Sequence, residues 1–358
     1  MVRVKLEDVC ERGTSNLKMS DVTDLSGNYP IYGAAGYIGN VDFYHQINPY
    51  VAIVKDGAGI GRAMLCPAQS SIIGTMQYLL PKKNILPRYL YYVVKYMHLE
   101  KYFTGATIPH IYFKDYKNET FNLEALERQK EIVTVLEKCE KVIEYRKREL
   151  NELDSLIKAR FVEMFGDPIY NANNLPMMCL NDLGVWNSGG TPSRTNPAYF
   201  TGEIDWYSAG ELNTLYLEGS IEKITEEAIQ ESAAKLFKAG SMLVGMYDTA
   251  AFKMGILKKA SASNQACACI EPNETVNIVW LYYSLQLMKE HFLSQRRGVR
   301  QKNLNLGMIK GFEIPIADRG KQDEFVCFAE QVDKSKVAVQ KALDETQILF
   351  DSLMQEYF

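Results

Sequence analysis

The chain has 358 residues, 47% hydrophobic and 23% charged, with seven cysteines and a net charge of −4. That composition excludes a disordered, collagen-like or low-complexity chain, and the length suggests about two domains, each burying its own core. No apolar run approaches the ~18–20 residues of a membrane span, the N-terminus has no apolar signal core, and scattered cysteines without a CxxC point to reduced thiols in a cytoplasmic protein, not to a disulfide framework or zinc site.

Residues 1–123 carry a net charge of +3 and are rich in glycine and aromatic residues. Short β-prone runs at 50–55 and 77–80 are separated by turn signals such as Ser26-Gly27-Asn28 and Asp56-Gly57, and a helix-like aromatic stretch covers 87–103. The expectation is a compact α+β domain with irregular recognition loops. Residues 124–165, net −1, repeat apolar positions every seven residues: Gln129 is followed by Leu136, Ile143, Leu150, Ile157 and Met164, with Ile132, Cys139 and Leu153 between. With no Gly or Pro inside and Glu and Lys elsewhere, this predicts one long coiled-coil helix, about 60 Å at ~1.5 Å per residue. Gly166-Asp167-Pro168 supplies its stop.

Residues 166–316, net −2, repeat the first design. The β-prone runs lie at 241–246 and 266–270, the turn signal is Ser188-Gly189-Gly190, and a helix-like stretch covers 276–293. A basic run, Arg296-Arg297-Gly298-Val299-Arg300-Gln301-Lys302-Asn303, suits phosphate contacts beside base-edge hydrogen bonds. Residues 317–358 hold the most acid, net −4, and a second heptad pattern through Ala329, Leu343, Phe350 and Tyr357, with Phe325, Val332, Val339 and Leu353. Arg146, Arg160 and Lys336 interrupt the two seams. Two such helices in one chain most simply pack antiparallel as a rigid spacer.

An internal repeat joins these parts. Residues 105–165 align with 298–358 at a constant offset of 193, over 61 positions without a gap. Identities include Gly105 with Gly298, Lys117 with Lys310, Gln129 with Gln322, Glu131 with Glu324, Leu150 with Leu343 and Phe165 with Phe358. Upstream, Leu6-Glu7-Asp8-Val9 answers Leu180-Asn181-Asp182-Leu183, and Tyr91-Tyr92 answers Tyr282-Tyr283. The period is too long for a solenoid, so the chain is a duplicated unit of a variable block followed by a helical block.

Three strings imitate an adenine methyltransferase. Val54-Lys55-Asp56-Gly57-Ala58-Gly59-Ile60-Gly61 resembles a glycine-rich nucleotide loop after a strand, but Arg62-Ala63-Met64-Leu65-Cys66-Pro67 is too short and proline-broken for the helix that such a loop must open. Asn196-Pro197-Ala198-Tyr199 and Asp167-Pro168-Ile169-Tyr170 lack the second proline of an adenine-receiving loop, and turn or helix-stop roles account for both. His45, His98, His110 and His291 do not pair at metal or triad spacings, and Cys267 and Cys269 alternate onto one strand face, expected in the core. The chain reads as a recognition protein without catalytic residues or metal.

Taken together, the motifs resemble those of the DNA-specificity subunit of type I restriction–modification enzymes, along essentially the whole chain. In the second block the resembling strings are Ser188-Gly189-Gly190-Thr191-Pro192-Ser193, Gly202-Glu203-Ile204-Asp205-Trp206-Tyr207, Ile224-Thr225-Glu226, Gly240-Ser241-Met242-Leu243-Val244 and Asn264-Gln265-Ala266. In the first they are Asn28-Tyr29-Pro30-Ile31-Tyr32-Gly33-Ala34-Ala35-Gly36-Tyr37-Ile38-Gly39 and Asp56-Gly57-Ala58-Gly59, and Leu126-Glu127-Arg128-Gln129 resembles the family's helix start. Two departures stand out: Phe252, where the family usually has a small residue before Lys253-Met254-Gly255, and Pro315-Ile316-Ala317-Asp318 in place of a Pro-Pro-Leu pattern.

The resemblance implies an α+β protein with two target-recognition domains (1–123 and 166–316), separated by two long antiparallel coiled-coil helices (124–165 and 317–358). Each domain would read one half of a bipartite sequence in double-stranded DNA, with helix length fixing the unread gap. It implies two modification subunits as partners, which bind S-adenosylmethionine so that this chain binds no cofactor itself, and restriction–translocation subunits in the full complex. The expected DNA contacts are Lys55, Arg62 and His110 in the first domain, and Thr191, Ser193, Arg194, Lys253, Arg300, Gln301 and Asn303 in the second, with Arg or Lys suited to guanine and Gln or Asn to adenine. Rival readings are a stand-alone adenine methyltransferase, a coiled-coil scaffold binding protein or glycan, and the specificity subunit of a type IIB system.

Overall fold

The computed structural model describes residues 2–23, 26–105, 109–295 and 303–358. Contacts divide the chain into two compact units, one made of residues 1–148 with 339–358 and the other of 149–338. Both long helices therefore contribute to both units.

In the first unit, strand β1 (Val2–Lys5) leads through a single helical turn, α1 (Leu6–Val9), into β2 (Cys10–Thr14). Strands β3 (Tyr29–Gly33), β4 (Gly36–Val41), β5 (Tyr50–Val54), β6 (Ala63–Cys66), β7 (Ser71–Ile72) and β8 (Met76–Pro81) follow, then helix α2 (Pro87–Tyr96), the short α3 (Phe113–Tyr116) and β9 (Thr120–Leu123). The main sheet has the order β2-β8-β5-β6; a smaller one runs β4-β3-β7, and β1 pairs with β9. Strand β5 is buried at all five positions, which is why it reads as an unbroken apolar run. Helix α2 starts with Pro87, whose missing N–H is no loss in a first turn, and buries Tyr89, Leu90, Tyr92, Val93 and Val94.

The long helix α4 (Leu126–Phe165) crosses from the first unit into the second, which begins with β10 (Met177–Cys179), β11 (Gly184–Ser188), β12 (Ile204–Tyr207), β13 (Tyr216–Leu217) and β14 (Glu222–Ile224). Helix α5 (Glu226–Glu231), β15 (Met242–Gly245), β16 (Met254–Leu257), β17 (Ala262–Ser263), β18 (Cys267–Pro272), helix α6 (Ile278–Ser294), the short α7 (Leu306–Lys310), β19 (Glu313–Pro315) and the first half of α8 (Arg319–Tyr357) complete it, the second half of α8 belonging to the first unit. Its main sheet, β11-β18-β15-β16-β13, adds one edge strand to the plan of the first, and β14-β12-β17 repeats the smaller sheet. The parallel pairings match as well: Ile31 with Ser71 and Tyr32 with Ile72 in one unit, Trp206 with Ala262 and Tyr207 with Ser263 in the other.

A buried glutamine starts each long helix in the same way. Gln129 and Gln322 are both fully buried. Gln129 accepts from the Leu86 N–H at 2.9 Å and donates to the carbonyls of Asn84 at 3.0 Å and Glu124 at 2.9 Å. Gln322 accepts from the Asn277 N–H at 2.7 Å and donates to Thr275 at 3.1 Å and Ala317 at 2.8 Å. Main-chain groups left over at the start of α2 or α6 and ahead of α4 or α8 are thus satisfied by one side chain. The departure at Pro315-Ile316-Ala317-Asp318 leaves this arrangement intact.

Within each unit the α4 and α8 segments run antiparallel. Arg128 lies over Tyr357 in the first unit; Asp154 pairs with Lys336 at 2.6 Å, and Arg160 with Glu324 at 3.5 Å, in the second. Two of the seam interruptions are thereby cross-helix ion pairs. Burial disfavours the Lys336 ammonium, but its hydrogen bond to Asp154 and the charges of Asp154 and Asp333 outweigh this and raise its pKa. Helix α4 stops at Gly166, in the left-handed region at φ 77°, whose N–H closes on the Val162 carbonyl at 2.8 Å. Cys267 and Cys269 face the core with Leu243 and Leu257 as expected, and burial pushes the Cys267 thiol up to about 12. Among the described residues, no helix is long and apolar enough to cross a membrane.

Candidate nucleic-acid interface

In the first unit Lys55, Arg62 and His110 gather at one end of the main sheet. Lys55 follows β5, and its N–H and carbonyl are held by Thr75 and Ile111, each at 3.0 Å. Its ammonium lies 3.9 Å from Asp56, whose carboxylate also pairs with the His110 ring. His110 returns beside Asp56 on an isolated bridge and packs on Tyr112, ring centroids 4.0 Å apart, with the Lys114 ammonium over the far ring at 5.1 Å. Phe103 and Tyr112 are exposed beside it, so cations and aromatic faces are interleaved there.

The glycine string between Lys55 and Arg62 makes the hairpin from β5 to β6. Gly57, Gly59 and Gly61 all have φ between 80° and 85°. At Gly61 a Cβ would stand 2.4 Å from the Glu100 nitrogen, so the turn needs glycine for space as well as for φ. A strand follows this string where a nucleotide loop would open a helix, which removes the resemblance to a methyl-donor site. The other two imitations are also local structure: the Asn196 side chain caps the turn at Ala198 at 3.2 Å, and Asp167 accepts from the Ile169 N–H at 2.8 Å just past α4.

In the second unit Thr191, Lys253 and Asn303 lie at the corresponding end. Thr191 hydrogen-bonds Gln265, which immediately precedes Ala266 and β18. Lys253 immediately precedes β16 and donates to Asn213 Oδ1 at 2.9 Å and the Gly210 carbonyl at 3.4 Å. Asn303 Oδ1 accepts from the Asp248 N–H at 3.0 Å, holding the turn after β15 beside the exposed Tyr247. Ser193 is exposed and bonded to Thr195 at 2.7 Å. Arg194 stands apart in its bonding: both guanidinium arms reach Glu222, at 2.5 and 2.7 Å, and its plane lies over Phe200 and Trp206. Those bonds hold the Glu222 carboxyl below the usual carboxylate range and occupy the fork by which an arginine reads a base. Arg300 and Gln301 lie outside the described residues.

The residues that hold these side chains, Asp56, Asn213 and Gln265, were not among those expected from sequence. Asp56 and Gln265 sit inside the quoted strings Asp56-Gly57-Ala58-Gly59 and Asn264-Gln265-Ala266, so the signal was present without a partner to interpret it. Phe252, the departure from the family pattern, has φ 57° and is fully buried, stacked on Phe292 at 5.3 Å. Its counterpart in the first unit is Gly61: each donates its N–H back to the last residue of the preceding strand, Val54 or Gly245, at 2.8 and 2.9 Å.

Comparison with known proteins agrees with this duplicated arrangement. The profile of the type I restriction modification DNA specificity domain matches residues 1–155 and again 174–346. The chain is similar to the specificity subunit of the type I restriction enzyme EcoR124I/EcoR124II of Escherichia coli, 22% identical over 213 residues, covering 57% of this chain and 52% of that protein. It is also similar to the MjaIX specificity subunit of Methanocaldococcus jannaschii, 26% identical over 150 residues, 40% of this chain and 34% of that protein. The matches thus span about half of the first relative's length and about a third of the second's. The type I restriction–modification S subunit from M. genitalium superposes with a TM-score of 0.64 at 13% identity over 100% of this chain and 96% of that one. A chain solved in a study of complex assembly and conformational transition of the type I R-M system gives 0.60 at 14% identity, over 99% and 96%. At such identities these two likenesses establish the shared fold.

Proposed function

This chain belongs to the type I restriction modification DNA specificity family, and from that membership we propose that it reads the target sequence for a restriction–modification complex. Each unit presents the loop-rich end of its main sheet to one half of a bipartite site in double-stranded DNA. The observation that carries this reading is the recurrence, on equivalent hairpins at the same end of two equivalent sheets, of a basic side chain held by neutral acceptors: Arg62 by the Ala34 carbonyl in one, Lys253 by the Gly210 carbonyl and Asn213 in the other, with His110 bordering the first hairpin and Asn303 the second. Cations there neutralise phosphate, while the polar groups meet base edges.

Two modification subunits dock on the chain, bind S-adenosylmethionine and transfer the methyl group to adenine; restriction–translocation subunits join for cleavage. The chain itself supplies recognition and no bond chemistry, which the hairpin geometry of its one nucleotide-loop imitation supports. Large apolar side chains left exposed on the long helices, among them Val135, Val142, Tyr145, Val337 and Ile348, support their use as protein-binding faces. The net negative charge of the second helical block, −4, suits that role better than DNA contact.

The test is a methylome. The full chain is co-expressed with a modification subunit encoded beside it, in a host without adenine methylation, and modified bases are sequenced. One bipartite motif, two short halves about a constant gap, is the expected result. Absence of methylation together with absence of a co-purifying complex would overturn the reading in favour of a scaffold.

A further inference from the structure

We infer that Arg62 and Lys253 are one base-reading position used twice, each selecting a guanine at the same place in the half-site of its own unit. This inference rests on the DNA-reading function proposed above and names the residues that choose bases within it. Three features of the structure make the two residues equivalent, although Arg62 and Lys253 lie upstream of the gap-free part of the sequence repeat.

The first feature is the main chain. The Arg62 carbonyl accepts from the Val54 N–H at 3.0 Å, and the Lys253 carbonyl from the Gly245 N–H at 2.8 Å. The second is the residue before each, Gly61 or Phe252, held in the left-handed region at φ 80° and 57°. With the same pair of hydrogen bonds closing each hairpin, Arg62 and Lys253 leave the turn at equivalent positions. That shared turn explains why phenylalanine occupies a left-handed position in the second unit: its burial against Phe292 offsets the backbone strain that glycine avoids in the first.

The third feature is the tether on each cation. One Arg62 guanidinium N–H goes to the carbonyl of Ala34, just after β3; the Lys253 ammonium goes to the carbonyl of Gly210 and to Asn213 Oδ1, just after β12. Strands β3 and β12 are themselves equivalent, each pairing in parallel with the two-residue strand β7 or β17. The cation is therefore steered by neutral acceptors in both units, and among the described residues no carboxylate pairs with either. Arg194 is the contrast, because Glu222 neutralises it and takes both arms of its fork. A tethered cation with donors to spare matches the paired acceptors O6 and N7 on the major-groove edge of guanine.

The experiment is the methylome of Arg62→Ala and Lys253→Ala in the full complex. Arg62→Ala should reduce discrimination about 10- to 100-fold at a single G·C pair of one half-site and leave the other half unchanged. Lys253→Ala should do the same in the other half, at the pair equally distant from that half's methylated adenine. Where an alanine variant does not accumulate as a complex, Arg62→Gln and Lys253→Gln decide: each should shift the base read at that pair away from guanine, and an unchanged guanine there would overturn the inference. Relaxation at unequal distances, relaxation at an A·T pair, or uniformly weaker methylation with an unchanged motif would each overturn the inference, the last marking a phosphate contact. A wild-type chain that yields no bipartite methylation fails the proposed function itself, whereas wild-type methylation with misplaced relaxation fails only this pairing.

Discussion

Gln129 and Gln322 decide more than their size suggests. Each is fully buried and makes three hydrogen bonds to main-chain groups of two separate segments, so truncation strands one N–H and two carbonyls in the interior. An unsatisfied buried group costs about 1–3 kcal/mol. Gln129→Ala should therefore destabilise the first unit by about 3 kcal/mol or more, read as a lower denaturation midpoint at unchanged m-value, and a loss under 1 kcal/mol would show that water replaces the amide. The same logic separates the basic residues at the loop-rich sheet ends. Arg62 and Lys253 are tethered by carbonyls and an amide, whereas the Arg194 charge is already answered by Glu222, so Arg194→Ala should disturb the packing of Phe200 and Trp206 before it disturbs recognition.

At the scale of elements, the long helices combine apolar seams with polar exceptions that have partners. Ile132, Leu136, Ile143 and Ile157 on α4, and Phe325, Ala329, Val332, Val339 and Leu343 on α8, are buried as the seven-residue period requires. Lys336 and Arg160 break that period but meet Asp154 and Glu324 from the opposite helix. Such pairs contribute little net stability near the surface and serve register better than strength. The end of α4 depends on Gly166, where a Cβ would meet Asn173 at 3.1 Å in a conformation that L-residues avoid. Gly166→Ala should cost about 1 kcal/mol in thermal or denaturant unfolding of the whole chain, and an unchanged midpoint would indicate that the 166–174 turn shifts freely.

For the whole molecule, sequence order and structural unit do not coincide. The last residues of the chain, 339–358, belong to the unit that contains its first. Phe350 packs near Tyr92 with the Lys95 ammonium 4.9 Å from its ring, and Phe358 lies edge-on to Tyr89 at 5.2 Å. Phe350→Ala, removing a ring that is 4% exposed, should cost about 3–5 kcal/mol and lower hydrogen-exchange protection in α2, some 250 residues upstream. Loss of protection confined to α8 would show instead that the two segments unfold separately.

Much of this plan is legible in the sequence because it rests on periodicity. The 193-residue offset, the heptads and the apolar runs of β5, β8, β15 and β18 follow from local pattern, since a strand buried on both faces or a helix buried on one stripe must show it in composition. Glycine and proline likewise mark the hairpin at 57–61 and the end of α4 in advance. Tertiary structure alone decided which polar side chains are committed. Arg62 and Arg194 are both arginines in polar loops, and only the fold places a main-chain carbonyl beside one and a carboxylate with two aromatic rings beside the other. It also decided that Phe252 stands where Gly61 does, and that Arg62 and Lys253 occupy one position, because those equivalences are carried by hydrogen bonds between segments far apart in the chain and leave no periodic trace in it.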